Sequence, residues 1–108
     1  MVQPIEPAEL RRRMVAGEAF RLLDVREPFE LEICALAGSL AIPMGDVPAR
    51  ADELDPDDPR PIVCVCHHGI RSARVAGYLE ARGLTRLYNL SGGIDRWAEE
   101  VEPGMARY

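Results

Sequence analysis

Residues 62–72 read Ile-Val-Cys-Val-Cys-His-His-Gly-Ile-Arg-Ser, an apolar run followed by a glycine-containing loop. The apolar run is typical of a strand that is buried on both faces. Helical spacing over residues 72–82 predicts a helix directly after the loop, and Gly83 is a typical helix stop. A buried strand, a short loop and a helix in this order indicate a parallel α/β sheet.

The flanking segments continue the alternation of strands and helices. Further strands are predicted near residue 5 and over residues 20–25, 40–42 and 84–90, and further helices over residues 7–16, 28–34, 46–54 and 94–101. In the first helix, Leu10, Met14 and Val15 form the expected buried stripe, whereas the arginines at 11–13 are expected to be solvated. The pattern predicts an α/β fold with a mostly parallel sheet.

The composition limits the class of protein. The 108 residues fit one domain spanning positions 1–108. Thirteen basic and eighteen acidic residues give a net charge of −5, which disfavours nucleic acid as a partner. No apolar stretch approaches the roughly 18 residues of a membrane span, and the N-terminus lacks a signal sequence. Three cysteines, an odd number, indicate a reducing compartment, so we expect a cytoplasmic protein without a membrane partner.

The loop after Cys66 has the features of an anion site. Ligands of α/β sheets bind outside the carboxyl ends of the strands, and Cys66 lies at such an end. The first N–H groups of the following helix lack partners within the helix, and its dipole favours negative charge. Gly69 permits a close backbone approach, and Arg71 adds a permanent charge suited to sulfonate or phosphate oxygens.

The same electrostatic field predicts chemistry at the Cys66 sulfur. Helix N-termini and nearby cations lower cysteine pKa values to roughly 3.5–7.5, which gives a thiolate nucleophile. Covalent chemistry of this kind demands no metal or organic cofactor. Cys34 and Cys64 are instead interpreted as small buried hydrophobes. A metal site of the two histidines with Cys64 and Cys66 is disfavoured, because a strand sends these side chains in different directions.

Three blocks of the sequence together resemble the single-domain rhodaneses, a family of sulfurtransferases. They are residues 22–30 (Leu-Leu-Asp-Val-Arg-Glu-Pro-Phe-Glu), residues 66–72, and residues 88–94 with Trp97. The resemblance implies a three-layer α/β/α domain with a five-stranded parallel sheet. It also implies a thiosulfate sulfurtransferase type of enzyme, in which the loop cysteine takes a sulfane sulfur from a small anionic donor such as thiosulfate. The resulting persulfide passes that sulfur to cyanide or a thiol, or to a protein acceptor.

The resemblance also assigns roles to individual residues. Cys66 is similar to the nucleophile and persulfide carrier, and Arg71 to the residue that binds an anionic donor. Asp24 and Arg26, at a neighbouring strand end, are expected to brace the site. The backbone cradle around the sulfur is assigned to the remaining loop residues, namely His67, His68, Gly69, Ile70 and Ser72.

Loop length distinguishes this interpretation from its nearest rival. Four residues separate Cys66 from Arg71, whereas phosphatases that resemble this fold carry a longer loop, wide enough for a tetrahedral phosphate. The shorter loop favours sulfur transfer over phosphatase or arsenate-reductase-like chemistry. A persulfide carrier that serves a partner protein would use the same residues and stays open, whereas an inactive regulatory domain is disfavoured by the intact Cys66. The two-domain thiosulfate enzymes carry an arginine where this chain has His67, a departure that argues against thiosulfate as the natural donor.

Overall fold

A five-stranded sheet lies at the centre of the computed structural model, which describes all 108 residues. Its order is β1-β5-β4-β2-β3, and every neighbouring pair is parallel. The strands are β1 (Gln3–Ile5), β2 (Arg21–Asp24), β3 (Leu40–Ala41), β4 (Ile62–Val65) and β5 (Leu87–Leu90). The α/β class and the five-stranded sheet are confirmed, and the sheet is entirely rather than mostly parallel.

Helices connect the strands and cover both faces of the sheet. They are α1 (Pro7–Val15), α2 (Pro28–Leu31), α3 (Val47–Arg50), α4 (Ile70–Ala81) and α5 (Gly93–Glu100), with short 3₁₀ turns at Met44–Asp46 and Ala51–Glu53. No helix in the structure combines the length and the apolar character that a bilayer span requires.

The fully buried strand β4 divides the core into two clusters. Ile62 and Cys64 face the cluster that contains α4, whereas Val63 and Val65 face the cluster that contains α1 and α5. Successive side chains of a strand point to opposite faces, so one apolar run serves both clusters. This arrangement explains why β4 lacks the alternation of polar and apolar residues that a strand with one wet face would have.

Some element boundaries and side-chain placements differ from the prediction. Helix α4 begins at Ile70 and not at residue 72, because the left-handed Gly69, at a φ of 100°, caps it directly. The chain before β5 makes a turn through Arg86, so this strand begins at Leu87 and not at residue 84. Helix α2 and strand β3 are also shorter than predicted, and the predicted helix over residues 46–54 is broken by a 3₁₀ turn.

Helix α1 contacts the sheet along a narrower stripe than predicted. Leu10 is fully buried, but Met14 and Val15 are exposed, because the helix ends as the chain turns away at Gly17. Arg13 is not simply solvated: its guanidinium lies 5.0 Å from the centre of the Phe20 ring and 5.4 Å from that of Tyr88. The run of three arginines therefore did not indicate that one of its side chains packs on aromatic rings.

The carboxyl ends of β2, β4 and β5 meet at one edge of the sheet. Because β4 lies between the other two, the residue after it, Cys66, is flanked by the ends of both neighbours. Asp24 ends β2 on one side, and Leu90 ends β5 on the other. The sheet order thus brings the first and third blocks of the sequence to the loop that contains Cys66.

Candidate active site

The Cys66 sulfur lies at the base of a tight loop that joins β4 to α4. The residue is only 1% exposed. Its Sγ accepts a hydrogen bond from the Gly69 N–H at 3.0 Å and lies 3.2 Å from the Ser72 Oγ. The left-handed conformation of Gly69 turns its N–H toward the sulfur, which a residue with a side chain would do only under strain. Donors aimed at sulfur stabilise a thiolate or a persulfide anion there.

Asn89 on β5 holds this loop from the side. Its Nδ2 donates to the Gly69 carbonyl at 3.0 Å, and its Oδ1 lies 2.5 Å from the Ser72 Oγ. The single proton of Ser72 can therefore be donated to Asn89 or to the Cys66 sulfur. The sequence placed Asn89 only within a matching block and gave it no role. Its position in the middle of β5 was the available signal, because an amide in a core strand needs polar partners.

Helix α5 anchors the start of the loop. The Ile94 N–H donates to the Cys66 carbonyl at 2.8 Å, and the Asp95 N–H donates to the His67 carbonyl at 3.1 Å. This approach requires glycine at position 93, where a Cβ would lie 2.3 Å from the His67 oxygen and 2.5 Å from the Cys66 oxygen. The first turn of α5 and the loop therefore form one rigid unit.

The other two cysteines have different surroundings. Cys64 is completely buried in the apolar cluster beneath α4, where burial, followed by the proximity of Cys66, raises the pKa of its thiol to about 12. Cys34 is half-buried, and its Sγ lies 3.9 Å from an Arg26 nitrogen. Cys66 alone has a backbone N–H directed at its sulfur.

Arg71 is paired with a carboxylate that the sequence analysis did not single out. Its Nη1 and Nη2 donate to the two carboxylate oxygens of Glu30 at 2.6 and 2.9 Å. The pair lowers the pKa of Glu30 to about 2 and raises the pKa of Arg71, with smaller contributions to Arg71 from Cys66 and Tyr108. Glu30 lies 41 positions from Arg71 in sequence, and the available signals were its place at the end of the first matching block and as the third residue of a short helix beside a strand end.

Asp24 and Arg26 form a buried ion pair next to the loop, with 2.7 Å between the Arg26 Nη2 and an Asp24 oxygen. The Arg26 guanidinium also donates to the carbonyls of Glu30 and Cys34 and to the Tyr108 hydroxyl. These contacts tie β2, α2 and the residues after α5 together. Neither residue hydrogen-bonds to the Cys66 sulfur, and the bracing role stays a prediction.

His67 and His68 lie on the outside of the loop. The His67 ring stacks on both His68 and Tyr108 at 3.8 Å between ring centres, and its Nε2 lies 2.7 Å from the Tyr108 carbonyl oxygen. Together with Asp95, the two histidines offer three metal-ligating atoms within 4.8 Å of one another. Asp95 already pairs with Arg107 at 3.0 Å, so these side chains have partners within the protein. Their arrangement fits stabilisation of the loop better than metal binding.

The predicted site residues therefore separate into three groups. Cys66, Gly69 and Ser72 meet at the sulfur, whereas Asp24, Arg26 and Arg71 surround the loop as charged pairs. The third group faces outward and consists of His67, His68 and the 68%-exposed Ile70.

Comparisons with known proteins show which family the chain belongs to. A family model described as a rhodanese-like domain matches residues 6–100. A sulfurtransferase of Allochromatium vinosum is 35% identical over 106 residues, which cover 98% of this chain and 97% of that protein. The putative sulfurtransferase YtwF of Bacillus subtilis is 33% identical over 102 residues, which cover 94% of this chain and 96% of that protein.

A solved structure extends the likeness to three dimensions. The rhodanese-related protein of Thermoplasma volcanium superposes with a TM-score of 0.83 at 35% identity and covers 94% of this chain and 95% of its own. The all-parallel sheet, the loop between β4 and α4 and these relatives lead to one conclusion: the chain belongs to the family of rhodanese-like sulfurtransferases.

Proposed function

We propose that the chain transfers a sulfane sulfur from a donor such as thiosulfate to a thiophilic acceptor, cyanide or a thiol, through a persulfide at Cys66. The observation that carries the proposal is the Gly69 N–H directed at the Cys66 Sγ at 3.0 Å, at the end of a buried strand. A donor in this position stabilises negative charge on sulfur both before and after transfer.

The proposed cycle has two displacement steps. The Cys66 thiolate attacks the outer sulfur of thiosulfate, the S–S bond breaks, and sulfite leaves with the bonding electron pair. Cyanide then attacks the outer sulfur of the Cys66 persulfide, thiocyanate leaves, and the thiolate is regenerated. Each step forms one bond to the transferred sulfur and breaks another, so no external oxidant, reductant or cofactor is required.

The surrounding residues have supporting roles in this proposal. Gly69 and Ser72 hold the sulfur, and Asn89 fixes both of them. Arg71 forms the rim of the donor site, where 31% of its side chain is exposed. The buried Asp24–Arg26 pair keeps the neighbouring strand end in place.

The mass of the intact protein tests this proposal directly. Reduced protein is exposed to thiosulfate, and a gain of one sulfur atom that cyanide removes is expected. Cys66→Ser should show no gain, whereas Cys64→Ala, which changes the neighbouring buried cysteine, should gain sulfur as the native chain does. Equal loading of Cys66→Ser and the native chain would overturn the proposal.

A protein acceptor is a second candidate within the same chemistry. Phe29 is 66% exposed and Ile70 is 68% exposed, and each is adjacent in sequence to one member of the Glu30–Arg71 pair. Exposed apolar side chains at the rim of a site favour contact with a protein surface. If the loaded protein passes sulfur to a partner protein much faster than to cyanide, and a Phe29→Ser and Ile70→Ser double variant loses only that advantage, the chain acts as a persulfide carrier.

A further inference from the structure

Carboxylates neutralise the guanidinium groups that surround the Cys66 loop. Three such pairs have closest nitrogen–oxygen distances of 2.6, 2.7 and 3.0 Å, and they are Arg71 with Glu30, Arg26 with Asp24, and Arg107 with Asp95. Arg71, which the sequence assigned to an anionic donor, therefore already binds an anion that belongs to the protein.

Glu30 is held too firmly to be a loose surface partner. The residue is 4% exposed, and its carboxylate accepts hydrogen bonds from the Glu27 N–H at 3.0 Å and from the Tyr108 hydroxyl at 2.7 Å, in addition to those from Arg71. Four donated hydrogen bonds keep both oxygens in place. A donor cannot displace this carboxylate without leaving a buried charge with fewer partners, which is costly.

Arg74 does not supply the positive charge that Glu30 cancels at Arg71. It lies one turn further along α4 and has no carboxylate within 4.0 Å, but its side chain lines a surface depression with Met44 and Tyr78. That depression is formed by α3, α4 and the turn before α3, and it includes no residue of the Cys66 loop. The cation that the start of α4 supplies to the loop is therefore the paired Arg71.

We propose that Glu30 determines donor specificity by cancelling the charge of Arg71, so that the Cys66 loop prefers persulfide donors, R–S–S⁻, to dianionic thiosulfate. This inference rests on the proposed function, since it concerns the first displacement at Cys66. The Cys66 thiolate attacks the outer sulfur of the persulfide, the S–S bond breaks, and R–S⁻ leaves with the bonding pair. Thiosulfate requires a net positive site far more than a singly charged donor does, because its charge is twice as large.

The test compares two donors on the whole protein. Thiosulfate and the persulfide of 2-mercaptoethanol, which carries no other charge, are each mixed with reduced protein, and sulfur loading is followed by intact mass. In the native chain, the second-order loading rate is expected to be higher with the persulfide. In Glu30→Gln, the ratio of persulfide to thiosulfate rates should fall about tenfold, since the released charge of Arg71 favours the dianion. An unchanged ratio would overturn the inference.

Two matched variants separate specificity from a structural effect. Glutamine at position 30 keeps an oxygen that accepts the Glu27 N–H, so the start of α2 is retained. Glu27→Gln removes a negative charge from the same short segment without touching Arg71 and should leave the ratio within about twofold. Tyr108→Phe removes one hydrogen bond to Glu30 but keeps both charges, and it should also leave the ratio within about twofold. A shift in Glu27→Gln as large as that in Glu30→Gln would contradict a specific role for Glu30.

The salt dependence of sulfur loading provides an independent test. Attraction by an unpaired cation weakens as salt is added. Loading by thiosulfate is therefore expected to be nearly independent of ionic strength in the native chain and to decrease with salt in Glu30→Gln. A loading rate that decreases steeply with salt in the native chain would overturn the inference. If neither donor places sulfur on Cys66, the proposed function fails as well, whereas loading with an unchanged ratio overturns only the role of Glu30.

Discussion

Cys64 and Cys66 lie two residues apart and are both almost completely buried, yet their surroundings differ. Cys64 points into the apolar cluster beneath α4, where burial raises the pKa of its thiol to about 12. Cys66 lies one residue beyond β4, where the chain has left the sheet ladder and the Gly69 N–H is directed at its sulfur. Burial therefore does not by itself decide the chemistry of a thiol; the donors within reach of the sulfur do.

The rate of alkylation is expected to differ strongly between Cys64 and Cys66. At about pH 8, a thiol with a pKa of about 12 has roughly one molecule in ten thousand as thiolate, so Cys64 should be almost inert. Cys66 is expected to react with iodoacetamide at least about a thousandfold faster, as measured by peptide mapping. After unfolding in urea, the two rates should become similar. Similar rates in the folded protein would contradict the contrast.

Gly93→Ala should disrupt the loop at Cys66 while the core around Cys64 keeps its own contacts. The added Cβ would lie against the carbonyls of Cys66 and His67, and a φ of 65° is strained for alanine. We expect a loss of about 3 kcal/mol in unfolding free energy and a large loss of sulfur loading. Gly77→Ala is the control, since its Cβ would meet nothing within 4 Å and alanine favours a helix. A melting temperature unchanged by Gly93→Ala would contradict this prediction, because it would show that helix α5 can move away from the loop without loss of stability.

Asn89→Ala should weaken the loop without adding bulk. It removes the donor to the Gly69 carbonyl and the acceptor for Ser72, each worth about 1 kcal/mol. Sulfur loading should slow about tenfold, with a smaller decrease in melting temperature than in Gly93→Ala. Cys64→Ala should load at the native rate, because it changes the core side of the strand. If a folded Asn89→Ala variant gained sulfur at the native rate, Asn89 would have no role in the site.

Alkaline pH should lower the free energy of unfolding in part through Cys64. Its folded pKa of about 12 lies above the ordinary value of 9.0, so its contribution is complete below about pH 9 and is lost as the pH rises toward 12. The expected loss at pH 10 is about 1 to 2 kcal/mol, measured by denaturant titration. The Cys64→Ala variant should lack this part of the decrease. Burial also raises the pKa of Tyr108 to about 12, so Tyr108→Phe should reduce the remaining decrease. Parallel pH curves for the native chain and Cys64→Ala would contradict the assignment.

The sequence was sufficient for the architecture because local signals decide it. An apolar run such as that of β4, a glycine stop and short loops are properties of neighbouring residues, and together they predicted the strand, the loop and the following helix. These local signals misplaced the ends of helices and strands where a single backbone conformation decides the boundary. Gly69, for example, begins α4 two residues earlier than helical spacing indicated.

The partners within the site could not be obtained in the same way. Glu30 lies 41 residues from Arg71, and Tyr108 lies 78 residues from Glu30, so only the order of the strands brings these side chains together. Sequence spacing predicted a cation beside the loop. It could not show that a buried carboxylate neutralises that cation, because ion pairing across elements has no periodic signature.

The anchor formed by Gly93 restricts how the loop can be redesigned. Since helix α5 holds the carbonyls of Cys66 and His67, an inserted residue before position 68 would pull both carbonyls away from their donors. A loop enlarged for a tetrahedral phosphate must therefore gain its extra residue between His68 and the cap of α4. Helix α5 fixes the start of the loop and Asn89 fixes its end at Gly69, so engineered changes of substrate size have one point of entry between them.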